Sequence, residues 1–193
     1  MVTKRQRLQF VNSFLSFLGG LRPFVASARG ERVFELLCYF KKVDELIKRG
    51  KTPSLQNVQH HRFAPHSKPG NPISASYISF QDVRGEPFDL FLNGKFEGRS
   101  GAKHSPDIVL RETKSEKILS VYECKNHSGT LGLSYYREFI GYLEEMKVQK
   151  WGRNATFRNF YPELRPCIYT SAIANPSSNL MQDQYDFDVI DQL

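Results

Sequence analysis

A mixed α/β domain, one sheet with helices packed on it, is the fold class this chain predicts. Three observations carry the prediction. Two stretches near the front repeat apolar residues at helical spacing, a middle stretch breaks into short strand-like runs between Gly, Pro and charged turns, and the end alternates strand with helix. With 193 residues there is room for a single domain. It divides into an N-terminal helical extension, residues 1–26, and a core, residues 27–193.

Leu8, Val11, Leu15 and Leu18, flanked by Phe10, Phe14 and Phe17, predict an amphipathic helix that stops at Gly19-Gly20. A second helix begins near Ser27 and carries Val33, Leu36, Leu37, Phe40, Val43 and Ile47 on a broad apolar face until Gly50 ends it. Residues 51–76 hold Pro53, Pro65, Pro69 and Pro72, show no sustained period and read as a loop. His60, His61 and His66 lie in it without Cys or carboxylate neighbours at ligand spacing, so no metal is assigned to them. Antiparallel strands are expected at Tyr77–Val83, Phe88–Leu92, Asp107–Arg111 and Ile118–Glu123, with Thr113–Lys117 as the hairpin connection of the last two. Tyr135, Phe139, Tyr142, Leu143 and Met146 place a helix at Ser134–Gln149 behind a Ser cap. A strand at Cys167–Ile173, a short helix at Ser177–Gln184 and a strand at Phe187–Ile190 complete the order.

Composition narrows the function. The 40% hydrophobic content excludes wholesale disorder, and 27 Lys and Arg against 20 Asp and Glu give a net charge of +7, which favours a polyanionic partner, nucleic acid first. Cys38, Cys124 and Cys167 match neither a disulfide framework nor a zinc site, as expected of a reduced, cytoplasmic protein. Lys4, Arg5 and Arg7, then Phe10–Leu21 and Ala26-Ser27-Ala28, imitate a secretory signal, but Gln9, Asn12, Ser13 and Ser16 interrupt the apolar region. No run approaches the roughly 20 apolar residues of a membrane helix, so no membrane partner is expected.

One constellation carries chemistry. Strand alternation puts Leu119, Val121, Glu123 and Lys125 on one face and Ile118, Ser120, Tyr122 and Cys124 on the other. A hairpin centred near Ser115 returns the chain so that Asp107 opposes the Glu123–Lys125 end. Two carboxylates and a lysine at the rim of a core are costly unless partnered or used. Asp107 and Glu123 offer hard oxygens to Mg²⁺, and Lys125 can orient an attacking water or stabilise a phosphoryl transition state. Glu35 on the long helix is a candidate third carboxylate; Glu31, one turn earlier, is the alternative. Cys124 alternates away from this face and reads as a core residue.

Ser105-Pro106-Asp107, fifteen intervening residues, then Glu123-Cys124-Lys125, all after a helix bearing Phe34-Glu35, resembles the PD-(D/E)XK nuclease superfamily. The continuation Asn126-His127-Ser128-Gly129-Thr130-Leu131-Gly132, then Arg137-Glu138-Phe139-Ile140-Gly141, Tyr169-Thr170-Ser171 and Val189-Ile190-Asp191, is similar to the Mrr-like restriction endonuclease branch. The resemblance covers residues 105–191 and, more loosely, the Glu35 helix. It implies a restriction-endonuclease-like mixed β-sheet flanked by helices, here with an extra N-terminal helical segment. It further implies metal-dependent DNA cleavage of a restriction or defence type, with Asp107, Glu123 and Lys125 in the catalytic positions, Glu35 in the helix position, and Mg²⁺, or Mn²⁺ as its substitute, as cofactor. Residues 1–76 outside that helix match no part of the pattern, and Holliday-junction cleavage shares the same core. A catalytically inactive DNA-binding or assembly module, and an RNA nuclease, are the competing readings.

Lys103 and His104, just before Asp107, are candidates for DNA backbone contact, with Asn126, Lys150 and Arg153. Lys147, Lys150, Arg153 and Arg158 interleave with Trp151, Phe157 and Phe160 as on a nucleic-acid surface, although a packed loop explains them nearly as well. The helix Leu8–Leu18 is apolar over more than half its circumference. It either caps the monomer's own core or buries against a twin, and a homodimer would supply the second site that a double-strand break requires.

Overall fold

Leu36, Tyr39, Val43 and Leu46 form one stripe of the first described helix, and that stripe packs on the sheet. The computed structural model describes residues 30–58, 63–81, 85–148, 164–191 and 193; the expected helix Leu8–Leu18 lies outside them. Helix α1 (Gly30–Lys48) has Glu31 in its first turn and Lys48 in its last, charges that suit the helix dipole. Gly50, at φ +83°, ends it by turning its own N–H and that of Lys51 back onto the carbonyls of Ile47 and Leu46. The buried face is rotated from the expected one. Leu37 is 62% exposed, while Phe34, Cys38 and Lys42 are buried. Lys42 is accommodated because it pairs with Glu45 at 3.0 Å and lies 4.5 Å from the centre of the Tyr122 ring.

Strands β1 (Thr52–Gln56), β2 (Tyr77–Gln81) and β3 (Pro87–Leu92) precede a separate hairpin of β4 (Phe96–Glu97) and β5 (Lys103–His104). They are followed by β6 (Ile108–Glu112), β7 (Ile118–Lys125), β8 (Cys167–Thr170) and β9 (Asp188–Ile190). The main sheet has seven strands in the order β1-β2-β3-β6-β7-β8-β9. Neighbours are antiparallel from β1 to β7 and parallel from β7 to β9. Parallel neighbours need a crossover, and helices α2 (Leu133–Glu145) and α3 (Asn179–Tyr185) lie on those two connections. The first cluster of buried apolar residues sits under α1. The second, with Phe91, Val109, Val121, Tyr136, Phe139 and Phe187, sits under α2 and α3 on the opposite face. The mixed α/β sheet with helices on both faces is therefore as expected.

Several boundaries differ, for physical reasons. β1 lies in the stretch read as a loop, because an edge strand pairs on one side only and so tolerates Pro53 and a polar composition. The β4–β5 hairpin was not signalled, since two residues a side give no period to detect. Helix α2 starts at Leu133 after Gly132 with no side-chain cap, so Ser134 does not cap it, and it ends at Glu145 rather than Gln149. β7 runs on to Lys125, while β8 stops at Thr170. The alternation expected along β7 also breaks. Leu110 pairs with Ser120 but Arg111 pairs with Ile118, so Leu119 bulges out of register and packs with the α1 cluster, leaving Ile118 to join Val121 on the α2 face.

Candidate active site

The register of β6 on β7 sets Ile108 opposite Tyr122, which brings Asp107, the residue before β6, beside Glu123. Backbone and side chain interlock there. The Asp107 N–H donates to Glu123 Oε1 at 3.3 Å, and the Cys124 N–H donates to Asp107 Oδ2 at 2.7 Å. Lys125 Nζ meets Glu123 Oε2 at 2.8 Å. The bulge lies upstream of Val121, so the phase from Val121 to Lys125 is the one read from the sequence, and Glu123 and Lys125 share a face.

Burial and like charge dominate the electrostatics. Asp107 is held well above the ordinary carboxylate range, first by desolvation and then by Glu123 and Glu35, with the Cys124 N–H and Lys125 opposing. Glu123, 3% exposed, is raised by desolvation against the pull of Lys125. Burial disfavours charge on Lys125, but Glu123, Asp107 and Glu138 outweigh it, and the ammonium is stabilised. Burial and its hydrogen bond with Cys38 push the Cys124 thiol well up.

Two walls flank this centre. On the α1 side Glu35 and Glu31 both line a cleft of about 550 Å³ together with Asp107, Lys125 and Tyr135. Asn93 ties that wall to the centre. Its Nδ2 donates to Glu35 Oε2 at 3.0 Å while its own N–H donates to the Asp107 carbonyl at 2.8 Å, a geometry reached with Asn93 in the left-handed region at φ +54°. On the α2 side the Tyr135 ring centre is 5.5 Å from Lys125 Nζ, and Glu138 Oε2 is 3.9 Å from it. Tyr142 donates to Glu138, and burial, then Glu123 and Glu138, push its phenol up to about 12. From β8, the buried Thr170 hydroxyl donates to the Lys125 carbonyl at 2.8 Å, fixing the end of β7.

The structure thus brings Asp107, Glu123, Lys125 and Glu35 together. Asn126 is exposed beside them and accepts a hydrogen bond from Ser171 at 3.0 Å. Lys103 is exposed on β5, whereas His104 turns inward, 3.5 Å from Glu145 and edge-on to Tyr142. Lys150 and Arg153 lie outside the described residues. Sequence reasoning missed Asn93, whose only local signal is the turn-forming pair Asn93-Gly94.

The donor set suits a hard divalent cation. Desolvation raises both carboxylates, and Glu123 further raises Asp107, so the pair suits a proton or a cation; Mg²⁺ takes one or two carboxylates and completes its shell with water and substrate oxygens. Among the described residues no group of three or more His, Cys, Asp or Glu is gathered that could hold a metal by itself. Glu35 lies on the α1 wall of the same cleft as Asp107. The chain matches no protein-family model and no curated protein. No described helix is long and apolar enough to cross a membrane.

Proposed function

We propose that this chain is a metal-dependent deoxyribonuclease of the PD-(D/E)XK type, hydrolysing phosphodiester bonds at the Asp107–Glu123–Lys125 centre. The observation that carries the reading is the convergence of these three side chains, joined through backbone N–H groups and an ion pair, at a strand end that opens into a cleft.

Asp107 and Glu123 would hold Mg²⁺ or Mn²⁺. Bound there, the ion would supply Lewis-acid activation of water and neutralise charge on the phosphoryl group. Lys125 keeps its proton through its acidic neighbours, and its ammonium donates to the attacking water or to a phosphoryl oxygen as negative charge develops. Glu35 and Glu31 give the α1 wall a negative charge that admits a phosphodiester only alongside cations. The +7 net charge favours nucleic acid over smaller phosphoesters, and DNA is the polymer the motif resemblance implies.

The test is incubation of the pure protein with plasmid, single-stranded DNA and RNA, each with Mg²⁺ or with EDTA. Plasmid cut in Mg²⁺ and intact in EDTA is the expected result. Cleavage that persists in EDTA, or intact plasmid in both, overturns the reading; RNA cut in place of DNA replaces the substrate. If the chain dimerises, plasmid passes straight to the linear form, and light scattering reports twice the 22.3 kDa mass of one chain.

A further inference from the structure

The β4–β5 hairpin stands apart from the seven-stranded sheet and leads directly into Pro106-Asp107. Its strand register separates its two faces. Phe96 pairs with His104 and Glu97 with Lys103, so Phe96 and His104 share one side while Lys95, Glu97 and Lys103 share the other. The first side is anchored: Phe96 is buried edge-on to Phe91 at 5.8 Å, and His104 faces Glu145 and Tyr142. The second is exposed, as is Arg99 at the turn.

Both ends of the hairpin are fastened. At its base the Lys95 N–H donates to the Gly70 carbonyl at 2.7 Å. At its tip the Arg99 N–H donates to the Glu145 carbonyl at 2.7 Å, and the Ser100 N–H and hydroxyl donate to Glu145 Oε2 at 3.1 and 2.7 Å. Gly98 permits this approach, since a Cβ there would stand 2.7 Å from both Glu145 Oε2 and His104 Cδ2. Glu145 thus pins the arm to the end of α2 without contributing to the sheet.

We propose that this hairpin is a preformed arm that grips the phosphate backbone of duplex DNA through Lys95, Arg99 and Lys103 and sets the strand's register at Asp107. The inference rests on the nuclease reading for its substrate. Three cations against Glu97 make residues 95–104 locally basic, although the described residues together hold 17 Lys and Arg against 18 Asp and Glu. Lys103 is four residues from Asp107, at most about 14 Å of extended chain, or the rise of about four base pairs along the axis of B-DNA. The hairpin's two aromatic rings face inward, so its outer side offers charge rather than a base-stacking platform, which selects backbone over bases.

Fluorescence anisotropy with a labelled DNA duplex, in Ca²⁺ so that binding can be followed with turnover suppressed, tests the arm across a salt series. The Arg99→Ala/Lys103→Ala double variant is expected to bind more weakly and to lose about 1.8 from the log–log salt slope, roughly 0.9 per phosphate contact. Glu97→Gln, which removes the opposing charge, is expected to tighten binding at low salt and to lose that advantage at high salt. A double variant with the wild-type slope overturns the proposal, as does a Glu97→Gln variant that binds no tighter. Cleavage in Mg²⁺, read on the same preparations, separates the two claims. Hairpin-dependent binding without cleavage defeats the nuclease reading and leaves the arm, and cleavage with an unaltered slope does the reverse.

Discussion

The described residues and the rest of the chain differ most in charge. The former carry 17 Lys and Arg against 18 Asp and Glu; of the chain's 27 and 20, that leaves 10 basic and 2 acidic residues for the segments outside them. Five of those ten, Lys4, Arg5, Arg7, Arg22 and Arg29, precede α1, and Lys150, Arg153 and Arg158 lie between α2 and β8. The sheet and its helices hold the carboxylates and the lysine of the site but no net positive charge. The excess that would draw a polyanion resides elsewhere in sequence. Chemistry and long-range attraction are therefore separable by mutation, with the hairpin as the local basic feature of an otherwise neutral core.

The largest expected effect belongs to the chemical side. Lys125→Ala should bind DNA with the wild-type salt slope to within about one contact, yet lose about 10²–10³ in kcat, the usual loss when one preorganised transition-state donor is removed. Asp107→Asn should lose at least as much and fail to recover with excess Mg²⁺. Single-turnover cleavage of plasmid measures both, and full cleavage by either variant would dissolve the distinction between the two regions.

Next comes the electrostatic side. Replacing Lys4, Arg5, Arg7, Arg22 and Arg29 with Gln should flatten the salt dependence of duplex binding by up to about 4.5 in log–log slope, while kcat at saturating DNA stays near wild type. That is more than twice the change expected from the hairpin pair. An unchanged slope would show that the net charge is not what holds DNA, and a fall in kcat at saturation would show that the basic segment takes part in chemistry.

What could be read from the sequence follows the range of the interactions. The β6–β7 hairpin and the meeting of Asp107 with Glu123 and Lys125 were legible because a short turn and a two-residue period fix them locally. Leu119 was not, since a bulge changes phase without any Gly or Pro to mark it. Asn93 and Glu145 were invisible for a different reason: Asn93 meets Glu35 across 58 residues, and Glu145 meets Ser100 across 45. Such pairings depend on tertiary packing that no window of sequence contains. Leu37 failed in the same way, because helical spacing identifies a stripe but leaves its edges to whatever the sheet covers.

A third prediction concerns stability. In the metal-free protein the pKa of Asp107 lies well above its ordinary 3.8, so between those two values the folded chain holds a proton that the unfolded chain has released. Stability must then fall as pH rises through that window. Asp107→Asn has no such proton to lose and retains an acceptor for the Cys124 N–H, so in EDTA its melting temperature should exceed that of wild type near neutrality and converge on it below about pH 4. Adding Mg²⁺ should raise the wild type and leave the variant unmoved. Equal melting curves at every pH would remove the burial and charge repulsion attributed to Asp107.

The smallest effect separates backbone from side chain at Asn93. Its φ of +54° costs a residue with a Cβ about 1–2 kcal/mol, a cost that glycine avoids, while its amide bond to Glu35 is worth about 1–2 kcal/mol more. Asn93→Gly keeps the conformation and loses the bond; Asn93→Ala loses the bond and bears the strain with no polar side chain to relieve it. Alanine should therefore unfold at lower urea than glycine by about 1 kcal/mol, with both variants reduced alike in kcat because each frees Glu35 from the wall it shares with Asp107. Equal stability would refute the conformational argument. Full activity in the glycine variant would mean that the core's chemistry is set by Asp107, Glu123 and Lys125 alone, and that the α1 wall shapes the cleft without positioning anything in it.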